Sequence, residues 1–135
     1  MLAGALTKSV QPNASVAATG LSIRYIGEHL YGFSGVVSVD NNETVLMETT
    51  LGSGYTVATI TFNGLSGVED FDHFVYLNDE KVQFYRSEDR PGRAVNNLPI
   101  LIPPFTKLKL TAQNADNTNA RDQLVSITGR VYGAE

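Results

Sequence analysis

Hydrophobic residues along this chain recur mostly at every second position, in short runs divided by Gly, Asn, Asp and Pro. Such alternation marks a strand with one buried face. Leu21–Ile26 puts Leu21, Ile23 and Tyr25 on one face. Tyr31–Val39 puts Tyr31, Phe33, Val37 and Val39 together, with Ser34 and Ser38 opposite. Asp40-Asn41-Asn42 reads as a turn, because Asn and Asp tolerate left-handed backbone angles. Glu43–Leu51 is the next strand, with Val45, Met47 and Leu51 on one parity. Gly52-Ser53-Gly54 turns the chain again, into Tyr55–Phe62.

The second half has the same grammar. Phe71–Leu77 carries Phe71, His73, Val75 and Leu77 on one face and Phe74 and Tyr76 on the other. Asn78-Asp79-Glu80 reads as a tight hairpin loop into Lys81–Arg86, where Val82 and Phe84 oppose Tyr85. A polar loop, Ser87 to Asn97, leads to Leu98–Ile102, which Pro103-Pro104 closes. Proline cannot donate to a ladder, so that run belongs at an edge or ends abruptly. Phe105–Ala112 alternates Lys107 and Lys109 against Leu108 and Leu110, and Arg121–Tyr132 places Val125, Ile127 and Val131 on one parity.

These runs predict roughly nine strands with turn signals between them. Only Gly27–Tyr31 and Leu65–Asp70 leave room for a helical turn. Strands without intervening amphipathic helices exclude a parallel α/β sheet. The expected fold is therefore all-β, an antiparallel β-sandwich of jelly-roll type. Its expected core is Phe33, Val37, Val39, Val45, Met47, Ile60, Phe62, Val75, Leu108, Leu110, Val125 and Ile127. Apolar residues on the second face, Phe74, Tyr76 and Tyr85, point to a covering loop or a subunit interface.

Length and composition narrow the classes. One domain accounts for 135 residues. With 42% hydrophobic and 18% charged residues, the chain is too apolar for a disordered protein. A formal net charge of −4 argues against a general binder of nucleic acid or anionic membrane. No apolar run approaches the roughly 20 residues of a spanning helix. There is no Cys, which removes disulfides, thiolate metal sites and Cys nucleophiles. Residues 1–20 are small, polar and nearly uncharged, with Lys8 too late and Pro12 too disruptive for a secretory signal. They read as an extended arm before a sandwich domain over 21–135. Such an arm gains order only by burying Leu2, Leu6 or Val10, or by adding a strand to a neighbour.

The chemistry-bearing residues are sparse. His29 and His73 are the two histidines, each expected to be an ordinary, partly exposed side chain. No Gly-x-Ser-x-Gly elbow, phosphate loop, dinucleotide fingerprint or zinc spacing occurs. Glu69, Asp70, Asp72 and His73 form the densest acidic cluster, but without the spacing of a calcium loop; a solvated loop is expected. Arg86, Arg90 and Arg93 form the one basic cluster, with Glu88 and Asp89 inside it. That composition suits a salt-bridged surface loop or a contact with an acidic partner. No catalytic residue, metal or cofactor is expected, and the chain is not read as an enzyme.

Three stretches carry a resemblance: Tyr31-Gly32-Phe33-Ser34-Gly35-Val36-Val37 before the Thr-rich Glu43–Thr50, Ile102-Pro103-Pro104-Phe105-Thr106-Lys107-Leu108, and Val125-Ser126-Ile127-Thr128-Gly129-Arg130-Val131-Tyr132-Gly133. Together they resemble small β-sandwich virion proteins of tailed bacteriophages, of the capsid decoration or cement type. The resemblance implies a non-enzymatic homotrimer on the virion surface that binds the major capsid protein and bridges its neighbours. It implies neither nucleic acid nor membrane as a partner. The partner-binding residues expected on this reading are Leu2, Leu6, Val10, Phe74, Tyr76, Tyr85, Arg86, Arg90 and Arg93. The alternative is a receptor- or glycan-binding module of a phage tail or head fibre, for which an exposed tyrosine platform is the discriminating feature.

Overall fold

The structure, a computed structural model, describes residues 22–64, 69–87 and 96–133. The arm, with Leu2, Leu6 and Val10, lies outside the described residues, as do Arg90 and Arg93. The described residues form ten strands: β1 (Ser22–Ile26), β2 (His29–Phe33), β3 (Val37–Val39), β4 (Thr44–Thr50), β5 (Tyr55–Gly64), β6 (Phe71–Leu77), β7 (Glu80–Ser87), β8 (Asn96–Ile102), β9 (Lys107–Asn114) and β10 (Arg121–Tyr132). All pair antiparallel.

Two sheets result. The first runs β1-β2-β10-β5-β8, with β3 also on β10; the second runs β4-β9-β6-β7. From β3 onward, consecutive strands alternate between sheets except at the β6–β7 hairpin, giving the orders 3-10-5-8 against 4-9-6-7 of a jelly roll. The β1–β2 hairpin extends the first sheet beyond that unit. The stretch Gly27–Tyr31, allowed above as a helical turn, is instead the tight turn of this hairpin running into β2, with Gly27 at φ 61. The Asn78-Asp79 turn between β6 and β7 places both residues at positive φ, 52 and 70, as a two-residue hairpin of matching twist requires.

Between the sheets, Leu30, Val39, Leu46, Met47, Ile60, Ile102, Leu108, Leu110 and Ile127 are sealed from solvent, with Phe62, Phe71, Val75 and Val125 beside them. Nine of the twelve expected core residues are buried. Val37 is half-buried and packs against the core, and Val45 is half-buried. Phe33 departs from expectation: it is 41% exposed.

The reason is a change of face between β2 and β3. Both strands pair with β10, Phe33 opposite Ser126 and Val37 opposite Gln123. The chain advances four residues from Phe33 to Val37 while β10 retreats three from Ser126 to Gln123. The extra residue works like a bulge and reverses the parity, with Gly35 at φ 73 taking the bend. Leu30 and Gly32 therefore face inward, and Tyr31 and Phe33 face out. The single-face reading of Tyr31–Val39 holds for Val37 and Val39 only.

Glycines mark where backbones approach most closely. A Cβ at Gly129 would lie 2.8 Å from the Val57 carbonyl oxygen and 2.9 Å from Ala58 Cβ. Backbone atoms in a ladder cannot yield as a side chain does. Gly129→Ala is expected to destabilise the fold by about 1–3 kcal/mol, the usual cost of overpacking. Gly27→Asn, in open space at a φ that Asn tolerates, should stay near wild type. Thermal melts by circular dichroism compare the two; equal melting temperatures would contradict the packing account.

Candidate functional site: the outer faces of the two sheets

Alternation and register line up the outward residues of the first sheet in rows. Arg24 on β1 stands opposite Tyr31 on β2, then Thr128 on β10, Thr59 on β5 and Pro99 on β8. The next row is Ser22, Phe33, Ser126, Thr61 and Asn97. On the other side lie Ile26, His29, Arg130, Val57 and Leu101. Tyr132 and Tyr55 pair at the end of β10 and stack with ring centroids 5.3 Å apart. This face thus exposes Tyr31, Phe33, Tyr55 and Tyr132 among Ser and Thr hydroxyls. Thr61 donates to Asn97 Oδ1 at 2.8 Å, which orders part of the hydroxyl field.

A depression of about 250 Å³ opens at the β1–β2–β10 side of this face, lined by Ser22, Arg24, Tyr31, Gly32, Phe33, Ile127 and Thr128. Phe33 and Tyr31 flank it on one strand, and Arg24 reaches it from β1. Arg130 is bound to Glu28 at 2.8 Å and lies over the Tyr132 ring, its guanidinium carbon 5.3 Å from the centroid. Arg24 has no ion pair with any described residue. The lining offers rings, hydroxyls and a guanidinium, with no carboxylate or imidazole for proton transfer.

The outer face of the second sheet holds other aromatics. Phe74 and Tyr76 point outward as the alternation predicts, and Phe84 faces Phe74 with centroids 5.4 Å apart. Lysines cap these rings: Lys81 Nζ lies 3.9 Å from the Phe74 centroid and Lys109 Nζ 4.5 Å from that of Tyr76. Tyr76 Oη donates a short hydrogen bond to Glu43 Oε2, which also accepts from Thr111 Oγ1 at 2.7 Å. Partial burial pushes the Glu43 carboxyl up, but the bonds from Tyr76 and Thr111, with Lys81 and Lys109 nearby, outweigh it and hold its pKa below the ordinary value. The Tyr76 phenol is pushed up to about 12 by burial and by its bond to Glu43.

The other expected contact residues separate. Tyr85 lies on the inner side of β7, stacked on His73 at 5.8 Å, and so does not share the surface of Phe74 and Tyr76. Arg86 clasps Asp72 with bonds of 2.6 and 3.0 Å, an opposite-charge pair in register across the β6–β7 ladder. His73 is buried, correcting the expectation of an exposed ring: inward parity sets it against Phe62, 4.4 Å between centroids. Glu69 is buried too, not solvated. It accepts from Arg121 Nε and Nη2 at 2.9 and 3.0 Å and from Asn119 Nδ2 at 3.0 Å. Its carboxylate thereby pins the 115–120 loop to the start of β10, a structural task. Among the described residues no group of three His, Cys, Asp or Glu is placed to hold a metal ion.

Sequence reasoning placed Phe74 and Tyr76 on the face opposite the core, where they stand half-buried, but missed Arg24, Tyr31, Phe33, Tyr55 and Tyr132 as a surface. The signal was available in Gly32: a glycine flanked by two aromatics within a strand leaves the aromatics to the opposite face.

A scan against protein-family models finds no match, and no curated protein matches the chain. Among solved structures, the chain is similar to the CBM36-1 domain of a multidomain xylanase from the hindgut metagenome of Trinervitermes trinervoides. Identity is 13% and the TM-score 0.47, over 93% of this chain and 99% of that one. A family 35 carbohydrate-binding module from an environmental isolate matches at 16% identity and TM-score 0.39, over 93% of this chain and 83% of that one.

The two perturbed phenols give a direct check on this geometry. Tyr25, packed against the core, is pushed up to about 12 by burial alone, as high as Tyr76. In an ultraviolet titration, these two phenols are expected to ionise above the ordinary tyrosine range. Glu43→Gln removes the carboxylate that disfavours the Tyr76 phenolate, so it should bring one late phenol back and leave Tyr25 unmoved. A single transition for all six tyrosines in the wild type would contradict both placements.

Proposed function

We propose that this chain is a non-catalytic glycan-binding module that holds sugar rings on the outer face of its first sheet. One observation carries the reading: Tyr31 and Phe33 stand exposed beside a depression rimmed by Ser22, Arg24 and Thr128. Sugars present apolar C–H faces and polar hydroxyl edges. An aromatic ring offers a negative π face to the former, and hydroxyl and guanidinium groups bond to the latter. From the Tyr31–Thr128 pair to Tyr132 is four residues along β10, roughly 14 Å, a span for several linked rings. The exposed tyrosine platform is the feature set out above as discriminating this reading from the capsid one.

A glycan array with the wild-type protein should show binding. Tyr31→Ala and Phe33→Ala should each weaken the best ligand about tenfold or more, as loss of a central aromatic anchor does. Phe84→Ala, on the opposite sheet, should leave it unchanged. An array blank at high protein concentration, or equal losses in all three variants, would remove the reading.

A second reading, assembly as a virion structural protein, draws on a different surface. Phe84 is 54% exposed and Val82, at the bulge of β7, 46% exposed, on a face where apolar groups outnumber hydroxyls. Such a patch suits a protein partner, either further copies in a trimer or the major capsid protein. Sedimentation analysis of the wild type would then give a trimer, and Phe84→Asp a monomer; a wild-type monomer at every concentration would count against self-assembly.

A further inference from the structure

We infer that the ligand of the Tyr31–Phe33 depression is an acidic sugar, whose carboxylate is held by Arg24; this rests on the glycan reading above. The argument starts from charge. Arg24 is exposed on β1, directly opposite Tyr31, and lines the depression. Cross-strand partners hold their Cβ atoms about 5 Å apart, so the guanidinium and the phenol ring serve one bound group.

Among the described arginines, Arg24 is the one without a carboxylate partner. Arg130, two strands away, is already neutralised by Glu28. Asp122, the other outward carboxylate on the described part of this sheet, lies six residues along β10 from Thr128, roughly 20 Å. His29 flanks Tyr31, with ring centroids 6.4 Å apart. A chain with net charge −4 thus keeps, at the rim of its aromatic depression, a guanidinium with no carboxylate partner among the described residues. Each of the other described arginines holds a carboxylate: Arg86 with Asp72, Arg121 with Glu69, Arg130 with Glu28.

Geometry selects the anion. Guanidinium presents parallel N–H donors that match the two oxygens of a carboxylate, and such charge-assisted pairs are about twice as strong as neutral ones. A uronate places that carboxylate at the edge of a pyranose ring. One face of the ring can then stack on Tyr31 or Phe33 while the edge meets Arg24. Ser22 and Thr128 supply hydroxyls on either side for the remaining ring oxygens.

The experiment compares trigalacturonate with its fully methyl-esterified form, the same rings without charge, by calorimetry on wild type, Arg24→Gln and Tyr31→Ala. The wild type is expected to bind the acid about tenfold more tightly than the ester, as one charged hydrogen-bond pair allows. Added salt should shrink that preference. Arg24→Gln should erase it while binding the ester as the wild type does; Tyr31→Ala should weaken both. Equal affinity for acid and ester in the wild type, or a preference that survives Arg24→Gln, overturns the inference and leaves the glycan reading standing. No binding of either, together with a blank glycan array, overturns both. Arg24 is exposed and outside the core, so the variant's fold can be verified by an unchanged melt.

Discussion

The outer surface of the first sheet depends on one close approach inside it. Gly32 lies in the core layer, where a Cβ would come 2.7 Å from Ile127 Cγ2 and 3.3 Å from Met47 Sδ. Any side chain there would have to push Ile127 aside, so the inward place on β2 favours glycine. Strand geometry then leaves no choice for the neighbours: Tyr31 and Phe33 must point to solvent. A face that looks like a choice of surface residues is thus dictated by packing on the opposite side of the same backbone. Leu30, two residues earlier on the inward side of the same strand, is fully buried and anchors that orientation.

β10 transmits the constraint across the sheet. Its residues 126–130 pair with β2, 121–123 with β3, and 123–132 with β5. Because one strand serves three partners, the register of Tyr31 against Thr128 is tied to that of Thr128 against Thr59. Gly129 lets the β5 backbone come close at that level, between the Thr128 and Arg130 rows. The hydroxyls and rings of the outer face therefore stand in rows fixed by hydrogen-bonded ladders rather than by mobile loops. Pre-positioned groups lose little entropy on binding, which favours a sheet face over a loop as a recognition surface.

Much of this architecture was legible in the residue pattern. Alternation in Phe71–Leu77 and Arg121–Tyr132 located both strands with their observed bounds and correct faces. An antiparallel β-sandwich followed from strand number and the absence of helical periodicity, whereas the strand order did not, because pairing across sheets leaves no mark in alternation. The failures have one cause. Alternation counts apolar side chains and assigns them inward, so it placed Phe33 in the core and was blind to Gly32, which has no side chain to count. It also carried the face of Tyr31–Phe33 across Ser34-Gly35, where an unpaired residue reverses it. His73 and Glu69 were misjudged for the converse reason: polar residues were assigned to water, while stacking on Phe62 and bonds from Arg121 make their burial tolerable.

The two outer faces are both aromatic, yet their rings are differently committed. On the second sheet, Lys81 covers Phe74, Lys109 covers Tyr76, and Glu43 holds the Tyr76 hydroxyl. A ligand arriving there must displace cations from the ring faces and compete with a carboxylate already satisfied by two donors. On the first sheet, Tyr31 and Phe33 have no cation over their rings among the described residues, and Arg24 stands beside them without an acid. Desolvating that surface forfeits few internal interactions, so binding there keeps most of what its contacts supply. On the reading proposed above, the same comparison distinguishes the two faces. Capped rings and the exposed Phe84 and Val82 suit a broad protein contact, in which many small contributions add. The open pair on β2, with one charge and several hydroxyls converging on one depression, suits a small polar ring.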